Sequence, residues 1–234
     1  MYLRICIALL LLMHSSYAES KECVILLHGL IRSSASMSKI ETALNKAGYH
    51  TINQGYPSTQ DNIETLAEEA ISNALVKSPT DATRVHFVTH SMGGILVRNY
   101  LNKHSIENLG RVVMLGPPNK GSQVVDKLKG LYCFKMINGE AGMQLGTDKK
   151  SVPNQLGPSD FEVGIIAGTR SMNLILSTML PGKDDGKVTV ENTKLEGMKD
   201  HIALPVTHPF MMRNKEVIQQ VIHFLENGEF DRKE

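Results

Sequence analysis

Residues 85–94 constrain the fold of this chain more than any other segment. They read VHFVTHSMGG, a buried-strand pattern that stops at Ser91 and continues into two glycines and a helical pattern. This order is typical of a nucleophile elbow, a sharp turn that holds a serine hydroxyl clear of the backbone. Glycines beside the turn let a neighbouring segment approach where a Cβ would clash. The segment therefore predicts an α/β sheet with a serine placed for acyl transfer.

Strand and helix patterns alternate along the remainder of the chain. The predicted strands cover residues 24–27, 49–53, 85–88, 112–115, 163–167 and about 201–206. The predicted helices cover residues 36–47, 62–76, 92 to about 103, and about 209–226, with Asn227-Gly228 as the final cap. Such alternation indicates an α/β fold, a mostly parallel sheet with helices on both faces. Residues 187–190 are too short to assign.

One region departs from this alternation. Residues 116–158 are rich in glycine and proline and show weak periodicity. We interpret the region, with an approximate boundary of 116–160, as active-site loops and a short cap within one domain.

The N-terminal 18 residues have the pattern of a secretory signal peptide. Arg4 precedes an almost wholly apolar run over residues 5–13, and Ser16-Tyr17-Ala18 has the small-x-small arrangement that precedes cleavage. Cleavage after Ala18 would leave residues 19–234 as a single domain, secreted or periplasmic. An uncleaved N-terminal anchor is the alternative.

Composition narrows the classes of partner. The chain has 25 basic and 24 acidic residues, a net charge of +1, so it lacks the basic excess of nucleic-acid-binding proteins. Cys23 and Cys133 would meet an oxidising compartment, where they either pair or remain two free thiols. There is no cysteine cluster, and we expect neither a metal nor another cofactor. The oligomeric state stays open.

A second segment provides an oxyanion hole for Ser91. His28-Gly29-Leu30 directly follows the first strand, and loops at the carboxyl ends of parallel strands form the ligand crevice. We predict that the backbone N–H groups of Leu30 and Met92 hold the oxyanion. His28 is interpreted as a structural residue of this loop.

Two further segments are predicted to provide the catalytic base and the carboxylate that orients it. Ser91, Asp185 and His208 follow one another in the order Ser, Asp, His, with His208 after the last predicted strand. His208 would take the serine proton, and a carboxylate would fix its tautomer. His201 is the rival base, but it precedes that strand. His90 is expected to point away from the site.

Together these segments resemble the bacterial secreted lipases and esterases of the α/β-hydrolase superfamily, above all its small lipase-like or inositol-deacylase-like group. The resemblance rests on His28-Gly29-Leu30, Tyr56-Pro57-Ser58, Thr89-His90-Ser91-Met92-Gly93-Gly94, Gly116-Pro117-Pro118-Asn119-Lys120-Gly121-Ser122, Asp185-Gly186-Lys187-Val188 and His208. It implies that Asp185, rather than Asp184, is the triad acid. It also implies that the loop after Gly116 shapes the acyl pocket.

The chain departs from this family in three respects. Thr89 stands where the serine motif usually has a glycine. Pro209-Phe210-Met211 supplies no carboxylate after His208, so the calcium of larger bacterial lipases is not expected. Only one predicted strand precedes His28, which makes the sheet minimal.

The resulting hypothesis is a serine hydrolase of carboxylic esters, a lipase or esterase acting through an acyl-enzyme on Ser91. An acyltransferase or thioesterase with the same triad is the alternative, and a non-catalytic binding module is a third. The partner is an ester or lipid substrate. Peripheral lipid contact would use the lysines at 120, 127, 129 and 135, although a solvated face is the simpler interpretation.

Overall fold

The computed structural model describes residues 22–172 and 174–232. The predicted signal peptide and its cleavage site after Ala18 lie outside the described residues. Six strands are formed: β1 (Glu22–Leu27), β2 (His50–Gln54), β3 (Arg84–His90), β4 (Leu109–Leu115), β5 (Val163–Gly168) and β6 (Asp200–Leu204). The helices are α1 (Ser38–Lys46), α2 (Ile63–Lys77), α3 (Met92–Leu101), α4 (Gln123–Leu128), α5 (Tyr132–Met143), α6 (Val152–Gln155), α7 (Leu174–Ser177), α8 (Val190–Thr193) and α9 (Lys215–Asn227).

All six strands form one parallel sheet in the order β2-β1-β3-β4-β5-β6. The chain runs from β1 outward to β2, then crosses back to β3 on the other side of β1. Strand order therefore reverses between β1 and β3, and a ligand crevice is expected at such a point. The predicted α/β class, with a parallel sheet covered by helices, is confirmed.

The two faces of the sheet explain why consecutive strand residues are apolar. In β1, Cys23, Ile25 and Leu27 pack in one core with α2 and α3. Val24 and Leu26 pack in a second core with α1 and α9. Both faces are buried, so the strand shows an unbroken apolar run instead of alternation.

Two predicted helices differ from the observed ones at their first turns. Residues 34–37 form a short 3₁₀ turn before α1. The helix predicted from about residue 209 is also interrupted. Residues 208–213 form a 3₁₀ turn, and α9 begins afresh because the Asn214 side chain accepts hydrogen bonds from Glu216 and Val217 N–H. Gly228, with φ of 79°, ends α9 as expected.

The region interpreted as loops and a short cap contains three helices, α4, α5 and α6. It is anchored by Arg98 on α3, a buried residue that sequence reasoning did not single out. Its guanidinium donates to the carbonyl oxygens of Asn119, Pro153 and Gly157 at 2.8–3.1 Å. Burial lowers the pKa of Arg98 to about 10, so the group stays charged at neutral pH. These hydrogen bonds satisfy the buried cation and tie three separate segments of the region to α3.

The two cysteines among the described residues are free thiols. Cys23 is buried in β1 and its sulfur lies 3.6 Å from Ser78 Oγ, whereas Cys133 is exposed on α5. The disulfide alternative is therefore wrong for this conformation.

No helix in residues 22–172 or 174–232 is both long enough and apolar enough to cross a membrane.

Candidate active site

Ser91 occupies the sharp turn between β3 and α3. Its φ of 54° and ψ of −122° lie in a region that non-glycine residues rarely adopt. The turn is held by two backbone hydrogen bonds: Ser91 N–H donates to Leu115 O at 2.8 Å, and Gly94 N–H donates to Ser91 O at 3.0 Å. Such strain costs about 1–3 kcal/mol and persists where the surrounding structure enforces it. The hydroxyl is therefore presented above the sheet edge, as expected.

The glycines around Ser91 are required by close approaches of the backbone. A Cβ on Gly93 would lie 2.7 Å from Leu27 O and 2.8 Å from His28 O. A Cβ on Gly29 would lie 3.0 Å from Ser91 Cβ. Any larger residue at either position would push β1 and the elbow apart.

Thr89, the departure from the family motif, fits because space is left for it by Gly94. Thr89 is fully buried, and its Oγ1 would lie 3.2 Å from a Cβ placed on Gly94. A side chain at position 89 and the glycine at 94 thus share one volume.

The structure brings together the three side chains expected to form a triad. Ser91 Oγ lies 3.0 Å from His208 Nε2, and His208 Nδ1 lies 2.7 Å from Asp185 Oδ2. Asp185 is 1% exposed and His208 is 7% exposed. This chain of hydrogen bonds joins residues 117 positions apart in the sequence, between Ser91 and His208. Such an arrangement can transfer the serine proton to the imidazole.

Asp185 is itself held in place by the backbone. Its Oδ1 accepts hydrogen bonds from Lys187 N–H at 3.0 Å and Val188 N–H at 2.9 Å. Its carbonyl accepts from His208 N–H at 3.0 Å. The Asp185 carboxylate and the His208 backbone are therefore fixed relative to each other, which orients the ring.

Gly116 leaves the space that the Asp185 carboxylate occupies. A Cβ there would lie 2.9 Å from Asp185 Oδ2, and its φ of 56° favours glycine.

The alternatives raised from sequence occupy other positions. Asp184 accepts hydrogen bonds from Ser177 Oγ at 2.5 Å and from Gly186 N–H at 2.7 Å, so it secures a loop. His201 lies near the amino end of β6, with Nε2 3.0 Å from Thr193 Oγ1. Neither is hydrogen-bonded to Ser91 or His208. The geometry favours Asp185 and His208.

The loop that holds Leu30 is fixed by His28. The rings of His28 and Tyr56 stack with centroids 4.1 Å apart, and Tyr56 Oη donates to His28 O at 2.5 Å. Ile31 has φ of 57°, and its N–H donates to Ser58 Oγ at 3.0 Å. These contacts place His28 in a structural role, as interpreted.

The backbone placements of Leu30 and Met92 suit the predicted oxyanion hole. Met92 is the first residue of α3, where N–H groups have no partner within the helix. Leu30 lines the cavity that contains Ser91. Leu30 and Met92 thus lie on the β1 and β3 sides of the crevice, and the role of their N–H groups remains a prediction.

The expectation that His90 points away from the site is wrong. His90 is buried, its ring centroid lies 4.7 Å from that of His208, and its Nε2–H donates to His208 O at 3.0 Å. Burial, reinforced by the proximity of His208, holds the pKa of His90 well below its ordinary value. A neutral ring thus positions the His208 backbone. Alternation along β3 could not show this, because the strand ends at His90.

Stability is expected to fall as the pH drops below about 6.5. Burial is the main cause that lowers the pKa of His28, His86, His90 and His201 in the folded state. The unfolded chain then binds more protons than the folded one below the ordinary histidine pKa, so acid favours unfolding. Each histidine contributes a slope of at most about 1.4 kcal/mol per pH unit.

Urea unfolding at pH 7.5, 6.5 and 5.5 measures this slope, and His90→Gln should make it shallower. Glu191 and Asp200 have pKa values of about 2 and titrate in a more acidic range. Their titration is therefore separate from that of the histidines. A free energy of unfolding that stays constant from pH 7.5 to 5.5 would contradict the expectation.

A cavity of about 550 Å³ opens beside Ser91. One part of its wall is apolar and comes from α4, α5 and the residues that follow α5: Val124, Val125, Phe134 and Leu145. Ser122 and Asn138 add polar atoms. The volume suits a small organic ligand with a hydrocarbon part. In the part of the chain that the structure describes, no group of three or more His, Cys, Asp or Glu side chains could hold a metal ion.

No protein-family model matches the chain, and no curated protein matches it. Solved structures do. The mature lipase BlEst2 of Bacillus licheniformis has a TM-score of 0.63 at 20% identity, with 83% of this chain and 87% of that chain covered. The phospholipase PlaB of Legionella pneumophila, in complex with thio-NAD, has a TM-score of 0.64 at 15% identity and covers 88% of this chain and 62% of its own.

The metagenomic carboxyl esterase MGS0156 has a TM-score of 0.62 at 18% identity, with 81% of this chain and 65% of that chain covered. This chain therefore spans less than two thirds of the length of PlaB and MGS0156. At such identities the likeness establishes the fold class alone. The chain has the α/β-hydrolase fold.

Proposed function

We propose that this protein is a serine hydrolase that cleaves carboxylic esters through an acyl-enzyme on Ser91. The observation that carries the proposal is the unbroken chain of hydrogen bonds from Ser91 Oγ through His208 to Asp185. At one end of this series of hydrogen bonds lies the buried Asp185 carboxylate, and at the other end Ser91 faces a partly apolar cavity. An acid, a base and a hydroxyl in this order are the minimum for acyl transfer.

The proposed reaction has two halves. In the first, Ser91 Oγ attacks the ester carbonyl while His208 Nε2 takes its proton. The tetrahedral oxyanion accepts hydrogen bonds from the Leu30 and Met92 N–H groups. His208 then gives the proton to the leaving alcohol. In the second half, water attacks the acyl-enzyme with His208 as base, and the acid and free Ser91 are released.

The comparisons support an ester-cleaving chemistry. The similar structures are described as a lipase, a phospholipase and a carboxyl esterase. These descriptions belong to those proteins. They make ester substrates the first class to test here, ahead of acyl transfer to an alcohol or hydrolysis of a thioester.

A lipid substrate at an interface is favoured by the surface around the cavity. Eight large apolar side chains among the described residues are exposed on the same segments that line the cavity: Ile31, Leu131, Tyr132, Met136, Ile137, Met172, Ile175 and Phe210. Tyr132 is 80% exposed and Ile175 is 74% exposed. Exposed apolar side chains on the segments that form a binding cavity are typical of surfaces that contact lipid.

The cap lysines give less support to lipid contact. Lys120 pairs with Glu191 at 2.8 Å, and Lys129 pairs with Asp148 at 3.2 Å. We propose that lipid contact is made through the apolar side chains.

We also propose a secreted or periplasmic location, from the signal-peptide pattern of the N-terminal residues.

A fluorophosphonate probe and a chain-length series of p-nitrophenyl esters test the proposal. We expect covalent labelling of the wild-type chain and burst kinetics on the short esters. Esters assayed below and above their micelle concentration separate lipase from esterase, because a lipase gains rate at the interface. Absence of both labelling and ester hydrolysis in the folded protein would refute the assignment, and transfer to added alcohols would favour the acyltransferase.

A further inference from the structure

Two cationic side chains line the cavity that contains Ser91. Arg32 comes from the loop after β1, and Lys187 comes from the loop that follows Asp185. Ion pairs elsewhere in the described chain join other cations to carboxylates, and neither Arg32 nor Lys187 belongs to one. Both therefore present charge to the same cavity without a contact ion pair to a carboxylate, although the charge of Asp185 acts on Lys187.

The cavity wall contains a single negative charge among the described residues, and it is buried. Among the described lining residues, Asp185 is the only carboxylate. Its Oδ2 is used by His208 and its Oδ1 by the N–H groups of Lys187 and Val188. Arg32 and Lys187 outnumber this one carboxylate, so the lining of the cavity has a net positive charge.

The two cations also act on each other. Burial is the main cause that lowers the pKa of Lys187, Arg32 lowers it further, and Asp185 opposes the shift. Two like charges beside a partly enclosed space repel, and a bound anion between them relieves that repulsion. This situation differs from that of Lys120 and Lys129, whose charges are already matched by carboxylates.

We propose that Arg32 and Lys187 form an anion subsite, and that the ester taken by this site carries a phosphate or carboxylate group. The apolar wall would hold the acyl chain, while the cations would hold the anionic group of the alcohol part. This inference rests on the proposed function and adds the charge of the substrate to it. The cavity of about 550 Å³ is large enough for both parts.

Matched soluble hexanoyl esters test the subsite. Monohexanoylglycerol is compared with monohexanoylglycerol phosphate, and ethyl hexanoate with the hexanoyl ester of glycolate, all as monomers at low ionic strength. We expect kcat/KM to be at least about tenfold higher for the charged member, and the ratio to shrink as salt is added. The comparison with the phosphate tests recognition of a lipid-like headgroup, and the comparison with glycolate tests recognition of a small carboxylate.

The double variant Arg32→Gln/Lys187→Gln should abolish the preference. The readout is the ratio of kcat/KM between the charged and the neutral ester, which should fall to within about threefold of one, because the neutral alcohol part gains little from either cation. The matched control is Lys46→Gln/Lys199→Gln, two exposed lysines near the amino ends of β2 and β6. It removes the same charge at the amino ends of the strands, away from the cavity. This variant should keep the preference for the charged ester.

Binding separates this inference from the proposed hydrolysis. Hexyl phosphate is titrated calorimetrically into Ser91→Ala, with and without the two glutamine substitutions. At least about tenfold weaker binding in the substituted protein is expected, and equal binding would overturn the subsite. Equal kcat/KM for charged and neutral esters would also overturn it. If no ester is cleaved but hexyl phosphate binds through the cations, the hydrolase proposal fails and the subsite stands.

Discussion

Ser91→Ala is expected to lower kcat on a soluble p-nitrophenyl ester by about 10⁶ if the three side chains act as a unit. The Ser91 hydroxyl lies 3.0 Å from His208 Nε2, where it would receive the acyl group. Without it, the imidazole has no nucleophile to activate, and only positioning and oxyanion stabilisation remain. Stopped-flow assays of the wild type and long-time assays of the variant together cover this range of rates.

Labelling and folding provide the controls for this experiment. Ser91→Ala should lose all reaction with a fluorophosphonate, whereas Ser38→Ala, an exposed serine on α1, should keep both labelling and turnover. Unfolding curves confirm that both variants are folded. Unchanged ester hydrolysis by Ser91→Ala would place the nucleophile elsewhere.

Asp185→Asn is expected to lower kcat by about 10⁴ while leaving the fold intact. An amide at this position would retain the size of the carboxylate, but it would present the wrong hydrogen-bonding group to His208 Nδ1, now 2.7 Å from Oδ2. The tautomer that can accept the serine proton would lose its support, and the imidazolium would lose its counter-ion. The measurement is kcat over a pH series.

Asp184→Asn is the matched control for this variant. Asp184 is adjacent in sequence and also buried, but its carboxylate accepts hydrogen bonds from Ser177 and Gly186. We expect its kcat to fall by at most about tenfold, through a loosened loop. Equal losses for the two variants would contradict the assignment of the triad acid to Asp185.

Much of the fold could be predicted because it depends on local patterns. The run Val24–Leu27 is apolar on both faces, and such runs belong to strands covered on both sides. The helical stripe of α2 and the glycine after α9 are local in the same sense. The break before α9 was missed because the Asn214 cap competes with a helical pattern that continues through it.

The candidate site could be predicted only in part. Ser91 and His208 follow the ends of β3 and β6, so their placement at the carboxyl end of the sheet follows from the parallel topology. Asp185 lies in the long connection between β5 and β6, where no strand pattern fixes its position. The role of Arg98 could not be predicted, because its acceptors are backbone carbonyls of residues such as Pro153 that no side-chain pattern reveals. The contact of His90 with the His208 backbone was missed for the same reason.

The sequence by itself determined the parallel sheet, the elbow at Ser91 and the order of the three candidate catalytic residues. These depend on apolar periods and turn chemistry within about ten residues of chain. The family resemblance favoured Asp185 over Asp184, but only the tertiary structure shows which carboxylate reaches His208, since both precede the same turn. It alone also placed Arg32 and Lys187 in the cavity of Ser91. Distances between segments far apart in the chain depend on how the crossovers pack, which no local pattern encodes.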